Sequence, residues 1–147
     1  MSNTKYKSIF LILKSTNKVY STLYLNTRSL PCFNEFYSLF YLNGKKIVPK
    51  NIGKLLTARS LAYWSQDDGN KNGSGFVLNT QSFTKAEILL LIKVLKTKFD
   101  LNCSLHTRKA TKRTLESYTF YIKAESIPKF KELIKPFFHE SMRYKLD

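Results

Sequence analysis

Acidic residues are scarce in this chain: 10 Asp and Glu stand against 25 Lys and Arg in 147 residues, for a formal net charge of +15. Residues 1–34 contain no acidic residue at all, while Lys5, Lys7, Lys14, Lys18 and Arg28 are basic. Such a surplus points to a polyanionic partner, most often nucleic acid. An anionic membrane surface is the competitor, but the lysines are spread along the chain rather than gathered on one amphipathic helix. Long apolar runs are missing too. Ile9 to Leu13 and Ile88 to Ile92 fall far short of the roughly 20 residues that span a bilayer. No signal-peptide pattern opens the sequence, because the apolar run after Lys7 is brief and lacks a small-residue cleavage site.

Cysteine is almost absent. Cys32 and Cys103 stand alone, without metal-ligand spacing, which suits a reducing compartment and excludes a disulfide scaffold. The glycosylation-like triplets Asn72-Gly73-Ser74 and Asn102-Cys103-Ser104 are then chance matches. No stretch rich in Pro, Gly or Ser marks a linker, and the length is that of about one domain. A Gly-rich phosphate loop, a Ser-His-Asp order and a Cys-His metal pattern are all lacking. His106 and His139 are lone histidines that read as structural or exposed.

What is present centres on residues 57–69. Thr57 can cap a helix in which Ala58, Leu61, Ala62 and Ser65 recur at helical spacing, a narrow stripe that lets another backbone approach closely. Gly69 suits the left-handed position that stops a helix. Asp67 and Asp68 are the odd feature. They place two carboxylates side by side at the negative end of a helix, a penalty that a cation would relieve. A solvated Asp-Gly turn is the plainer alternative.

The rest reads in order. Lys7 to Lys14 and Tyr20 to Asn26 are strands of a hairpin around Ser15 to Lys18, lying along a phosphate backbone or forming a lysine-protected sheet edge. Ser29 and Pro31 open a helix to about Leu42, ended by Asn43-Gly44. Its aromatic stripe of Phe33, Phe36, Tyr37, Phe40 and Tyr41 reads as core, with a base-stacking platform as the alternative. Lys45 to Pro49 is an extended connection and Asn51 to Leu56 a short helical turn. Lys71 to Gly75 reads as a polar loop before a strand from Phe76 to Gln81. Asn79 and Gln81 on one face of that strand suit base edges in a major groove or water. Thr84 and Glu87 make a capping box for a helix buried through Ile88, Leu91, Ile92 and Leu95. Leu101 to Thr107 and Tyr118 to Ala124 are strands. Arg108, Lys109, Lys112 and Arg113 between them are the densest basic cluster, a candidate phosphate grip. Ser126 and Pro128 open a last helix to about Lys135, and Phe137 to Leu146 is an amphipathic tail.

Ser60-Leu61-Ala62-Tyr63-Trp64 followed by Asp67-Asp68-Gly69 resembles the signature of the LAGLIDADG homing endonucleases, in the omega-type branch. The similarity continues through Phe76 to Thr84, Lys98-Phe99, Leu101-Asn102-Cys103, Ile134 to Phe137 and Ser141 to Leu146. Before the helix it includes Lys45 to Pro49. In all it covers roughly Tyr20 to the C-terminus.

The resemblance implies an α+β fold: an αββαββα module with an antiparallel DNA-binding sheet over residues 57–147. Residues 1–56 would then be a hairpin and helix closing a preceding module. It also implies divalent-metal-assisted hydrolysis of duplex DNA, with Asp68 as the metal-binding carboxylate, Asp67 as auxiliary ligand and Mg²⁺ as the natural ion. Lys45 and Lys145 match the family's basic residues beside the reacting phosphate. Two departures stand out. Ser65-Gln66 replaces the usual bulky pair, and one signature helix supplies only half a metal site. The second half would come from a homodimer or a complementary first-half chain, with Ala58, Leu61, Ala62 and Ser65 as the assembly face. A remnant that binds without cutting, or a splicing role on intron RNA, are the alternatives. The Lys, Asn, Ile, Phe and Tyr usage suits an AT-rich genome such as that of a mitochondrion or other organelle. A basic structural protein fits the charge but not Asp67-Asp68-Gly69.

Overall fold

The computed structural model describes residues 6–13, 18–25, 29–111 and 115–147, with side chains from residue 29 onward. The chain forms two compact units, residues 1–37 and 38–147. In the first, β1 (Tyr6–Leu13) and β2 (Lys18–Leu25) pair antiparallel, from Tyr6 opposite Leu25 to Leu13 opposite Lys18. The turn expected at residues 15–17 lies outside the described residues.

Pro31 sits in the first position of a single 3₁₀ turn, Pro31–Phe33, that runs into α1 (Asn34–Phe40). No side chain caps this start, so Ser29 does not play the expected part. The helix also ends before Leu42, because Tyr41 and Leu42 form β3 (Tyr41–Leu42) against β4 (Lys45–Lys46). Asn43 (φ 50°) and Gly44 (φ 75°) are both left-handed, the pairing that a tight two-residue hairpin turn requires. The aromatic stripe is not core. Phe33, Phe36, Tyr37 and Tyr41 are exposed, and only Phe40 of the five packs against the buried cluster. Helical spacing shows that a stripe exists, not that something covers it.

From there the second unit follows the expected αββαββα order. After α2 (Ile52–Leu55), the signature helix α3 (Ala58–Asp68) is capped as predicted: the Thr57 hydroxyl accepts from the Ser60 N–H, and the Ser60 hydroxyl accepts from the Thr57 N–H. Next come β5 (Gly69–Asn72), β6 (Gly75–Leu78), α4 (Lys85–Phe99), β7 (Cys103–Arg108), β8 (Ser117–Ile122) and α5 (Ile127–Ile134). The sheet is antiparallel in the order β5-β6-β8-β7. The strand missing from the sequence reading is β5, where a polar loop was expected. Its residues, Gly69-Asn70-Lys71-Asn72, carry no apolar side chain to alternate.

One face of the sheet presents Phe76, Leu78, Phe120 and Ile122 to the helices, which add Leu61, Ala62, Ile88, Leu91, Leu95, Phe130 and Ile134 to the same core. Val48, Ile52 and Leu56 also belong to this core. By contacts, residues 38–56 thus pack with the second compact unit. Phe76 and Phe130 meet with ring centroids 5.1 Å apart, and Trp64 meets Phe120 edge-on at 5.7 Å. At Gly69 the reason for glycine differs from expectation. Its φ of −94° is extended, not left-handed. A Cβ there would lie 2.4 Å from both the Phe76 ring and the Ser65 carbonyl oxygen. Close approach, not turn geometry, requires it.

Glu87 does more than close the capping box with Thr84. It accepts from the Thr84 N–H and hydroxyl, each at 2.7 Å, and from the buried Val48 N–H at 2.8 Å. It thereby ties the connection before α2 to the start of α4. Burial pushes this carboxyl up, but the Thr84 and Val48 hydrogen bonds outweigh it and hold the pKa below the usual 4.5. A depressed carboxylate contributes stability that is present above the ordinary value and is lost as pH falls through the folded-state value, here below 4.5. Glu87→Ala should cost about 1–3 kcal/mol at neutral pH, since the buried Val48 N–H loses its partner. Thermal melts should show the gap to wild type narrowing below pH 4.5. A gap that stays constant into acid would show that the charge contributes nothing.

Candidate nucleic-acid interface and metal site

The end of α3 is built from the backbone outward. A helix leaves its last carbonyls without partners. Here each is taken up in turn. The Lys145 ammonium donates to the Gln66 carbonyl at 2.6 Å and to the Asp67 carbonyl at 3.4 Å. Asn79 donates to the Asp68 carbonyl twice, from its backbone N–H at 3.0 Å and from its side-chain amide at 2.9 Å. Lys145 is thus a cation at the negative helix end, and it partly relieves the repulsion that makes Asp67-Asp68 unusual.

The polar pair Ser65-Gln66 has a structural role. The buried Ser65 hydroxyl donates to the Leu61 carbonyl at 2.7 Å. Gln66 reaches the C-terminal tail, accepting from the His139 N–H at 2.7 Å and donating to the Phe137 carbonyl at 3.5 Å. This clamp carries the tail, and with it Lys145, to the helix end. Asp67 is exposed and Asp68 half-buried. Among the described residues neither carboxylate takes part in an ion pair or a side-chain hydrogen bond. Nor does any group of three or more His, Cys, Asp or Glu among them converge as a metal site. The donor set fits a hard cation, but only as one half of a cage.

The other sequence-predicted residues are distributed unevenly. Lys45 is exposed on β4, opposite Leu42, and among the described residues its ammonium has no hydrogen bond to the helix end. Lys71 lies on β5 and donates to the Asp147 carbonyl. Arg108 ends β7 and Lys109 follows it, both exposed. Lys112 and Arg113 lie outside the described residues.

Asn79 and Gln81 do not share a strand face, because β6 stops at Leu78. The Asn79 amide is committed to the helix end, and its carbonyl accepts from Gln81 at 3.2 Å. The assembly face also needs correction. Leu61, Ala62 and Ser65 are fully buried in this unit's own core, and Ala58 is half-buried. Leu61, Ala62 and Ser65 are therefore not open to a second helix in this unit. The outward stripe of α3 is Ser60, Tyr63 and Asp67, all exposed, with Tyr63 58% accessible.

Apart from Arg108, the residues on the outer face of the sheet are ones that the sequence reading did not single out for binding. Alternation places Asn70, Asn72, Val77, Ser104, His106, Arg108, Ser117, Thr119 and Tyr121 opposite the core face. Asn70, Asn72, His106 and Arg108 are exposed and the other five half-buried. His106 stacks on Tyr121 with centroids 5.3 Å apart, its Nε2 lies 3.2 Å from the Ser104 hydroxyl, and the Tyr121 hydroxyl donates to the Asn72 carbonyl at 3.3 Å. The alternation of Ser104, His106 and Arg108 was the available signal. Cys103, on the core side, has its thiol pushed up to about 12 by burial, which makes it no nucleophile.

Comparison with known proteins agrees with this geometry. Over 98% of its length the chain is 32% identical to the cytochrome b mRNA maturase bI2 of Debaryomyces hansenii, of which it spans 53%. It is 33% identical over 82% of its length to the intron-encoded endonuclease ai4 of Dictyostelium discoideum, spanning 74% of that protein. The solved structure of the homing endonuclease I-WcaI bound to its DNA recognition sequence superposes with a TM-score of 0.83 and 30% identity, over 98% of this chain and 64% of that one. The chain thus spans only about half to two-thirds of several of the proteins it matches. A profile of the LAGLIDADG DNA endonuclease family matches residues 1–130, and with a motif-bearing α3, an αββαββα unit and an open polar sheet, the chain belongs to that family.

Proposed function

We propose that residues 38–147 act as one half of a site-specific DNA endonuclease, with the outer sheet face in a major groove of duplex DNA and the end of α3 at the phosphodiester to be cut. The observation that carries this reading is the helix end itself. Two carboxylates without partners among the described residues stand beside Lys145, next to a four-stranded antiparallel sheet whose outer face bears hydrogen-bonding side chains. A two-stranded or wider β-surface can enter a major groove, where base edges are distinguishable. The relative of known structure is solved on its DNA recognition sequence, which supports duplex DNA as the partner.

In this reading Asp68 holds a divalent cation, Mg²⁺ or a similar hard ion, with Asp67 as auxiliary ligand. Such an ion supplies Lewis-acid charge at the phosphodiester and a more acidic attacking water. Lys145, already fixed by the Gln66 carbonyl, offsets charge on the phosphate. Lys45 takes a similar part by its family resemblance. One α3 gives half the ligands, so cutting needs a second signature helix, from a second copy or from a complementary first-half chain, seated on Ser60, Tyr63 and Asp67. The composition and the relatives named for cytochrome b mRNA support a mitochondrial or other organelle setting. The same maturase relatives favour one second reading, in which the basic surface binds intron RNA to assist splicing.

A double variant tests the sheet face. His106→Ala with Tyr121→Ala should weaken duplex binding by about 1–3 kcal/mol and relax base preference locally, while the salt dependence, set by phosphate contacts, is kept. Fluorescence anisotropy on a selected duplex measures all three. Unchanged affinity and base preference would remove this face from the interface.

A further inference from the structure

Gln66 meets the C-terminal tail twice. Its side-chain carbonyl accepts from the His139 N–H at 2.7 Å, and its main-chain carbonyl accepts from the Lys145 ammonium at 2.6 Å. The His139 N–H can only donate, which fixes the orientation of the amide. Nε2 is thereby turned toward the carbonyls of Ala62 at 3.4 Å and Phe137 at 3.5 Å. Between the two ties the tail is a 3₁₀ stretch, Glu140–Lys145, with no buried residue. Gln66 itself is half-buried on α3.

We propose that Gln66 is a positioning residue for cleavage, acting through the tail to hold the Lys145 ammonium at the end of α3. The endonuclease reading above is its premise. Ordering a lysine side chain costs much conformational entropy, so its head is placed only as well as the backbone that carries it. The hydrogen bond to His139 fixes that backbone where the stretch begins, and the Gln66 carbonyl receives the ammonium where it ends. A polar residue at 66, a departure from the family signature, thereby serves the tail. An apolar side chain of the same length would fill the space but offer the His139 N–H no acceptor.

The test is single-turnover cleavage of a selected duplex, with Mg²⁺ and a partner that supplies the second signature helix. Gln66→Met keeps the length of the side chain and removes its amide. His139→Pro breaks the same contact from the other side. His139 already has φ −65°, the value proline fixes, and Phe138 before it is extended at φ −88° and ψ 123°. The proline therefore deletes the N–H and leaves the backbone in place. His139→Ala is the control, since it keeps the N–H and loses the contacts of the ring with Ser141.

Gln66→Met and His139→Pro should each slow cutting by about tenfold to a hundredfold, as a displacement near 1 Å does, with duplex affinity unchanged. His139→Ala should cut like the wild type. In a Lys145→Ala background neither substitution should slow cutting further, because there is no ammonium left to place. A loss in that background as large as in the wild type overturns the proposal, since the contact would then support the fold and not Lys145. Wild-type rates in Gln66→Met or His139→Pro overturn it as well. Trace acetylation of lysines, mapped by mass spectrometry on the protein without duplex, reads the position of Lys145 apart from any cutting. Lys145 should label several-fold faster in Gln66→Met and His139→Pro, with the exposed Lys93 of α4 unchanged. Unchanged labelling of Lys145 overturns the proposal and leaves the endonuclease reading standing. A wild type that cuts with no partner overturns that reading and, whatever the labelling, the role of Gln66 in cleavage with it.

Discussion

Asp68→Asn is expected to abolish metal-dependent cleavage by the paired protein while leaving duplex binding intact. Asparagine keeps the size and hydrogen bonding of the side chain and removes only its charge. The contacts that hold this end of the helix run through backbone carbonyls, with Asn79 on that of Asp68 and Lys145 on those of Gln66 and Asp67. The substitution therefore leaves the fold as it is. A metal centre supplies several kcal/mol of transition-state stabilisation, so the rate should fall by about a thousandfold or more. Affinity should hold or rise slightly, because a negative charge near phosphate is lost. Lys145→Ala and Lys45→Ala should each slow cutting without preventing binding. Cleavage and anisotropy on the same duplex separate the two effects, and wild-type cutting by Asp68→Asn would show that another residue holds the metal.

Two substitutions one residue apart on α3 should behave oppositely. Ala62 is completely buried in the core of its own unit, so Ala62→Phe overpacks that core and costs about 1–3 kcal/mol whatever the assembly state. Tyr63 is 58% exposed, so Tyr63→Glu should change the stability of the isolated chain by less than about 0.5 kcal/mol. That same change puts a carboxylate beside Asp67 on the stripe that is to meet a second helix. It should prevent pairing, as read by sedimentation of the chain with duplex and partner. Normal pairing by Tyr63→Glu, with pairing lost in a stably folded Ala62→Phe, would return the interface to the small stripe.

That contrast marks how far the sequence could be read. Local chemistry was legible. Thr57 and the Thr84–Glu87 pair mark the starts of α3 and α4, and β7 and β8 fall within or beside the two expected strands. Long-range placement was not. Ala58, Ala62 and Ser65 announce that something comes close, yet spacing cannot say whether it is the module's own sheet or another helix. The Gly69-Asn70-Lys71-Asn72 strand is invisible because its stability comes from pairing with β6, not from its side chains. Asn79 looked free for base contacts because nothing local reveals that the helix end eleven residues earlier takes its amide. Asp68 and Lys145 are singled out by family resemblance alone. The meeting of Lys145 with the helix end depends on Gln66, which had read only as a departure from the pattern.

The most direct test is cleavage of a randomised duplex library with Mg²⁺ by three samples. These are the chain alone, the chain at concentrations that drive self-association, and the chain co-expressed with the part of a longer relative that it does not match. Double-strand cuts are expected at one site, dependent on divalent metal and seen only where two signature helices are present. Tight, salt-sensitive duplex binding with no cleavage in any sample would contradict the endonuclease reading and leave a protein that binds DNA without cutting.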